Sequence, residues 1–399
     1  MEKLDFVEAV LFLAERYHLS VEDTSSSSSE NPFDKKALLK VMKWAADWYQ
    51  RQLFRPLGQC ALEYVEKRGL SEEMIGRFVL GYAPPSWTAL LEEAKRQNIA
   101  LTLLEQVGLI KKSSKGQWID LFTHRVMFPI WNVHGEMIAF GGRTLEKDEK
   151  NFKYINSPET PLFRKNQTLY GLNFAKDYTK QERSLTIVEG YTDVIFCHQA
   201  QVFTAVAPLG TSLTENHVKL AHRFADELFL LFDGDHAGIK AGERALSLLF
   251  ENHFQGSILV LPEGQDPCDF IRKEGEVAFR EKLKTAESLF DFKIRQVQKR
   301  HEDMKTPETL LKGLEELRTF VQTLSLPLVR EIWTQEICNR FQINPQKFLG
   351  NSKTKKEKFP LKSASTVSRL NALHDSERFI LRFSYFQPAS LPAFFKKNP

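Results

Sequence analysis

Three acidic motifs, each behind a short apolar run, carry the chemistry legible in this chain. Ile187-Val188 leads into Glu189-Gly-Tyr-Thr-Asp193, and Leu231-Phe232 into Asp233-Gly-Asp235-His-Ala-Gly238. Leu259–Leu261 leads into Pro262-Glu-Gly-Gln-Asp266-Pro-Cys268-Asp269. Asp233 and Asp235 are two apart, which puts both on one side of the chain if the segment stays extended. Two carboxylates about 4 Å apart repel by about 4 kcal/mol at an effective dielectric of ~20, so such a cluster needs cations. Oxygen donors select Mg²⁺ or Mn²⁺ over zinc. A pair of such ions holds both the attacking and the leaving oxygen in phosphoryl transfer.

Each motif also has a plainer reading as a turn. As a calcium-binding EF-hand loop, the second motif fails, because Ala237 occupies the fifth position and Arg244 the twelfth, where Glu is required. A phosphatase of the haloacid-dehalogenase type also has Asp-x-Asp after an apolar strand. That type expects Thr or Val where Ala237 stands. What favours a metal site is the recurrence of three acidic motifs in order, each after a strand.

The elements around them are those of an α/β unit. From Ser184, the apolar runs Leu185–Val188, Val202–Val206, Leu228–Phe232 and Ile258–Leu261 read as buried parallel strands. Helical segments around 191–200, 214–225 and 237–252 separate them. In open parallel sheets, ligands bind beyond the carboxyl ends of the strands, so the acids are expected to converge on one crevice. Residues 306–349 read as helical, starting at Thr306-Pro307, with Leu310, Leu314, Leu317, Val321 and Leu324 on one face.

Upstream, residues 35–110 read as mainly helical, with Trp44, Trp48 and Phe54 as core anchors. Arg125–Trp131 and Met137–Arg143 form two β-rich runs flanking the turn His134-Gly135. Between Ile110 and Arg183 stand 13 Lys/Arg against 8 Asp/Glu, more than the whole chain's net charge of +4. At the N-terminus, residues 4–17 have the apolar spacing of an amphipathic helix, followed by the flexible tract Ser25–Ser29. Lys353, Lys355, Lys356, Lys358 and Lys362 mark a second linker, after which 376–386 reads as the start of one more helix.

With 399 residues, 42% hydrophobic and 27% charged, the chain has globular composition and material for several domains. No apolar run approaches the roughly 18 residues of a membrane span. The acidic Met1–Phe6 is unlike a signal peptide. Four widely spaced cysteines (Cys60, Cys197, Cys268, Cys338) contain no C-x-x-C pair, which argues against a zinc module or disulfide scaffold and for a cytoplasmic protein.

Together these residues resemble a known family. Val188-Glu-Gly-Tyr-Thr-Asp-Val, Leu209-Gly-Thr-Ser, Phe232-Asp-Gly-Asp-His-Ala-Gly and Gly264-Gln-Asp-Pro are similar to the Toprim domain of bacterial DnaG-type DNA primases. Tyr64-Val-Glu-Lys-Arg68-Gly-Leu, Gly81-Tyr-Ala-Pro, Arg125-Val-Met-Phe-Pro-Ile, Phe140-Gly-Gly-Arg143 and Lys153-Tyr-Ile-Asn-Ser-Pro-Glu-Thr resemble the basic subdomain before it. Toprim alone also admits topoisomerases, recombination mediators and nucleases; the Lys153–Thr160 segment points to primase. The resemblance, which runs from about residue 35 to 350, implies an α+β basic subdomain (35–183), an α/β Rossmann-like Toprim subdomain (184–275) and a helical subdomain (276–350).

By the same resemblance the activity is synthesis of short RNA primers on single-stranded DNA, a 3′-hydroxyl attacking the nucleotide's α-phosphate. Glu189, Asp193, Asp233, Asp235, Asp266 and Asp269 are the implied ligands of Mg²⁺ or Mn²⁺, with Glu189, Asp233 and Asp235 catalytic. Arg68, Arg125, Arg143, Lys153, Tyr154, Asn156 and Lys165 are the implied contacts to template and ribonucleoside triphosphate. Arg and Lys neutralise phosphates, and Phe152 and Tyr154 offer stacking faces. A replicative helicase is the implied partner of a monomeric enzyme.

The departures are specific. No Cys/His cluster precedes residue 60, so the family's zinc ribbon is missing, and residues 1–34 read as its trailing helix plus linker. Residues 351–399 read as a basic linker and only the start of a helicase-binding region. Thr123 stands where an Arg is usual, which bears on template binding. Cys268 replaces the second acid of Asp-Pro-Asp, which bears on one metal position, although Asp269 follows. These departures motivate an alternative: a degenerate, non-catalytic relative that only binds single-stranded DNA or a replication partner.

Overall fold

The computed structural model describes residues 32–146, 152–252 and 254–349. The expected helices at 4–17 and 376–386 and both linkers lie outside the described residues. Two compact units result: one of residues up to Lys176 plus Leu209–Thr211, the other of Asp177–Pro208 and the chain from Ser212. No helix among the described residues is long and apolar enough to cross a membrane.

The first unit is α+β. Its sheet has the order β1-β4-β5-β6, all antiparallel, with β1 at Gly81–Ala83, β4 at Arg125–Trp131, β5 at Met137–Thr144 and β6 at Tyr154–Asn156. The expected hairpin is β4–β5, which reverses at Gly135 with φ of +83°, a conformation that favours glycine. A separate ribbon pairs β2 (Ile110–Lys112) with β3 (Trp118–Asp120). The helix Pro32–Leu53 contributes Met42, Ala45 and Tyr49 to the core, and the Tyr49 ring meets Phe140 of β5 edge-on at 5.3 Å. Each fully buried side chain of that size contributes about 1.5–3 kcal/mol. Trp48 is buried as expected, but Phe54 is not a core anchor: it is 55% exposed, because the helix ends at Leu53 and the chain turns away.

The second unit is an α/β sheet of order β11-β10-β9-β7-β8, where β7 is Ser184–Ile187, β8 Ala205–Val206, β9 Glu227–Phe232, β10 Gln255–Val260 and β11 Glu287–Ser288. β7 to β10 pair in parallel and β11 caps the edge antiparallel. The expected strand Val202–Val206 shrinks to two residues. The helices Tyr191–Gln199, Glu215–His222 and His236–Glu251 connect the strands, and Leu289–Arg300, Pro307–Thr323 and Pro327–Phe341 form the C-terminal helical region. Leu317, Val321 and Leu324 of the expected apolar face are buried.

The connection after β7 runs to one side, to β8, and those after β9 run to the other. The gap between the carboxyl ends of β7 and β9 is therefore the topological switch point, where such sheets open a crevice. Glu189 and Asp233 follow those two ends.

Candidate metal centre and nucleic-acid interface

Backbone hydrogen bonds hold the acids of the second unit in place, one oxygen at a time. Glu189 Oε1 accepts from the Asp233 amide at 3.1 Å, joining the ends of β7 and β9. Asp193 Oδ2 accepts from the Gly190 amide at 2.9 Å. Asp235 caps the helix His236–Glu251 by accepting from Gly238 N at 2.7 Å, and Asp266 caps Pro267–Glu274 by accepting from Asp269 N at 2.7 Å. The segment Asp233–Asp235 bends at Gly234, and Asp235, itself in extended backbone, caps the helix that follows. Gly234 has no room for a side chain, since a Cβ there would lie 1.8 Å from the Pro262 carbonyl oxygen. Its amide donates to Gln265 O and its carbonyl accepts from Gly264 N, both at 3.0 Å, which clamps the second motif to the third.

Asp233 is the centre of this arrangement. Burial, then the charges of Asp193, Glu189, Asp266 and Asp235, push its carboxyl up to about 8. Its Oδ1 is buried without a hydrogen-bond partner among the described residues. Burial also raises Glu189. A buried, unpartnered carboxylate oxygen amid other carboxylates fits a hard divalent cation, which would relieve the repulsion and supply the missing contact. Asp266, Cys268 and Asp269 form a second gathering, with ligand atoms all within 4.8 Å of one another; Asp269 is exposed and the Cys268 thiol is buried. Its thiol is a softer donor than the carboxylates.

The basic residues belong to the first unit. Arg143 in β5 pairs in register with Tyr154 in β6, so both side chains share one face, and its guanidinium lies 5.6 Å from the Tyr154 ring centroid. On the same guanidinium, the Tyr64 ring sits 4.6 Å away, and Arg68, one helical turn after Tyr64, stacks on that ring at 5.6 Å. Each such contact contributes about 0.5–2 kcal/mol. Arg143 is only 8% exposed, yet its Nε and Nη1 and the Tyr64 hydroxyl have no hydrogen-bond partner among the described residues. Asn156, two residues after Tyr154 on the same face, donates from Nδ2 to Leu209 O at 3.1 Å. Lys153 is exposed, and Lys165 is half-buried with its amide on Glu159 Oε1 at 3.0 Å.

Arg125 does not join this group. Its guanidinium is buried, and Nη1 donates to the carbonyls of Gly142 and Phe152, both at 3.1 Å. The effect is to hold the Phe152 backbone while its ring stands 80% exposed. Tyr64 and Gln265 are the residues that sequence reasoning passed over. The i, i+4 spacing of Tyr64 and Arg68 on one helix was the available signal for the first. Gln265 adjoins Asp266, and its Oε1 is a second buried acceptor without a partner among the described residues.

Residues 48–176 match the family described as DNA primase catalytic core, N-terminal domain, and residues 186–271 match Toprim-like. The DNA primase of Salmonella typhimurium is 35% identical over 336 residues, covering 83% of this chain and 56% of that protein. The chain therefore spans a little over half the length of the curated relatives it matches. Among solved structures, a DNA primase domain from Pseudomonas aeruginosa superposes with a TM-score of 0.71 at 35% identity, covering 78% of this chain and 98% of that one. A DnaG primase catalytic domain bound to ssDNA gives 0.68 at 34% identity, with 78% and 98% covered. The Toprim-like match supports divalent-metal-dependent chemistry in general. With these motifs in order and nearly the whole length of a solved primase domain covered, the chain belongs to the bacterial DnaG-type DNA primase catalytic core family.

Proposed function

We propose that this chain synthesises short RNA primers on a single-stranded DNA template. The observation that carries the reading is Asp233, whose carboxylate has a buried, unpartnered Oδ1 and is pressed upon by four other acids beyond the switch point of the sheet. Glu189, Asp193, Asp233 and Asp235, with Asp266 and Asp269, would hold the Mg²⁺ or Mn²⁺ ions. When bound, those ions supply charge neutralisation at the attacking and leaving oxygens of nucleotidyl transfer. The protein's own part is positioning: backbone amides fix the carboxylates of Glu189, Asp193, Asp235 and Asp266 before substrate arrives, so little is reorganised during reaction.

Template binding falls to the first unit, which also contributes contacts to the nucleotide. A relative in the family has been solved with ssDNA bound, which supports assigning that ligand here. Arg143 has unused donors for a phosphate or base edge, Arg68, Lys153 and Lys165 add charge, and Asn156 and Tyr154 share the Arg143 face. Phe152 is an exposed ring on which a base can stack, and Arg125 acts as its positioning residue. The parse into a basic subdomain (35–183), a Toprim subdomain (184–275) and a helical subdomain (276–350) belongs to this reading, as does helicase docking through residues beyond 350.

Labelled ribonucleotide incorporation on a single-stranded DNA template, with Mg²⁺ or Mn²⁺, tests it. Templated products that vanish on chelation support the reading. Template binding with no incorporation under either metal would replace it with that of a non-catalytic DNA-binding relative.

A further inference from the structure

In the second unit, a half-open cavity of about 720 Å³ begins at Gly234 and Asp235 and extends along the end of β10 to the helix Leu289–Arg300. The volume falls within the range of about 300–1,000 Å³ found for small-ligand sites. The lining carries the acids Asp235, Glu263 and Glu287, and also Lys282, Arg295, Gln296 and Lys299.

Arg295 is already neutralised, its Nε lying 3.0 and 3.2 Å from the two carboxylate oxygens of Glu287. Lys282 and Lys299 pair with no carboxylate among the described residues, and Lys299 is exposed. Gln296 is only 4% exposed, and its Nε2 has no hydrogen-bond partner among the described residues. A buried donor without an acceptor costs about 1–3 kcal/mol, so it marks a place where an acceptor is missing. Two unpaired ammonium groups and an unsatisfied amide donor ask for an anion rich in acceptor oxygens. Because the same lining carries Asp235, one of the candidate metal-binding acids, that anion must also tolerate a cation beside it. A phosphate chain, with acceptor oxygens along its length and affinity for divalent cations, does both.

We propose that this cavity binds a diphosphate unit, held by Lys282, Lys299 and Gln296. The identity of the ligand rests on the nucleotidyl-transfer reading, in which the α–β phosphate bond breaks and pyrophosphate departs; the site itself rests on the cavity and its donors. Two sources share the chemistry: released pyrophosphate, and the β,γ-phosphates of a nucleoside triphosphate.

The test is calorimetric titration of the full chain with pyrophosphate, inorganic phosphate and a non-hydrolysable ribonucleoside triphosphate at low salt, with and without Mg²⁺. Wild type is expected to bind pyrophosphate without metal, more tightly than inorganic phosphate. Lys282→Ala/Lys299→Ala should weaken this about tenfold or more. Gln296→Met should weaken it too; should that buried change prevent folding, the surface double-lysine variant still decides. Loss confined to pyrophosphate identifies the departing product as the source, and equal loss for the triphosphate identifies the nucleotide tail. Unchanged pyrophosphate affinity in the double variant, or no binding by folded wild type, overturns the proposal. Pyrophosphate binding in a protein that makes no primers would leave the site standing while the functional reading falls.

Discussion

The amide of Asp233 donates to Glu189 Oε1 at 3.1 Å, so the first catalytic candidate holds the backbone of the second. The bond crosses the switch point of the sheet and fixes the spacing of two acids that are 44 residues apart in sequence. Neutralising Glu189 therefore removes a candidate metal-binding acid and also loosens the turn that carries Asp233 and Asp235.

Stability without metal should depend on pH through Asp233. Its carboxyl stands at about 8 in the folded chain, against about 3.9 when unfolded, so the folded state holds the proton more tightly. That contribution is fully present below about pH 4 and is lost as pH rises through about 8. Thermal melts in chelator should show the melting temperature falling between those limits. Added Mg²⁺ should recover it most at the alkaline end, and Asp233→Asn should flatten both effects. A chelated wild type with the same pH profile as the Asn variant would contradict the assignment.

Asp233→Ala and Glu189→Ala should reduce nucleotide incorporation to background while leaving single-stranded DNA affinity largely unchanged, because the acids and the basic face belong to different units. Primer synthesis and fluorescence anisotropy on the same preparations check this. Wild-type polymerisation by either variant would refute the two-metal role.

Cys268 presents a buried thiol within 4.8 Å of the ligand atoms of Asp266 and Asp269. Activity is expected to favour Mn²⁺, which accepts softer donors than Mg²⁺, and Cys268→Asp should strengthen metal binding and Mg²⁺-supported synthesis. If Asp269 substitutes for the missing acid, Cys268→Asp will change little and Asp269→Ala will be the damaging variant. If neither alters metal dependence, this motif serves only to start its helix.

Phe152→Ala should weaken single-stranded DNA binding by about 1–3 kcal/mol, the range for losing one base stack, without lowering the melting temperature. Lys153→Ala should reduce affinity with little sequence preference and lower the salt slope by about one ion. Affinity measured over a salt series decides both, and binding indifferent to salt would rule out phosphate neutralisation by this face.

Asp120 is a structural counterpart. It is 2% exposed and accepts from Leu90 N at 2.8 Å and Leu91 N at 3.0 Å, closing the start of the helix Ala89–Arg96 from 29 and 30 residues away. Burial pushes its carboxyl up to about 7. Asp120→Ala should destabilise the first unit by about 2–3 kcal/mol by leaving buried amides unpaired. Chemical denaturation measures this, and a loss within about 0.5 kcal/mol would mean that water reaches those amides.

Much of this protein is determined by local sequence. Apolar runs ending in acids announce a parallel sheet with ligands at its carboxyl end, since strand burial and strand-end chemistry are short-range properties. The hairpin at Gly135, the caps at Asp235 and Asp266 and the helix start at Thr306-Pro307 are likewise local. What only the tertiary structure decided depends on residues distant in sequence. Which acid sits at the centre follows from strand order, which places β7 beside β9. That Arg125 is buried while Arg143 stacks between two tyrosines follows from register across β4, β5 and β6 and from a helix 79 residues before Arg143. The desolvation that raises Asp233 and leaves Gln296 without an acceptor comes from neighbours that no spacing rule relates to them. Burial and charge coupling are sums over space, and a linear sequence shows only their local terms.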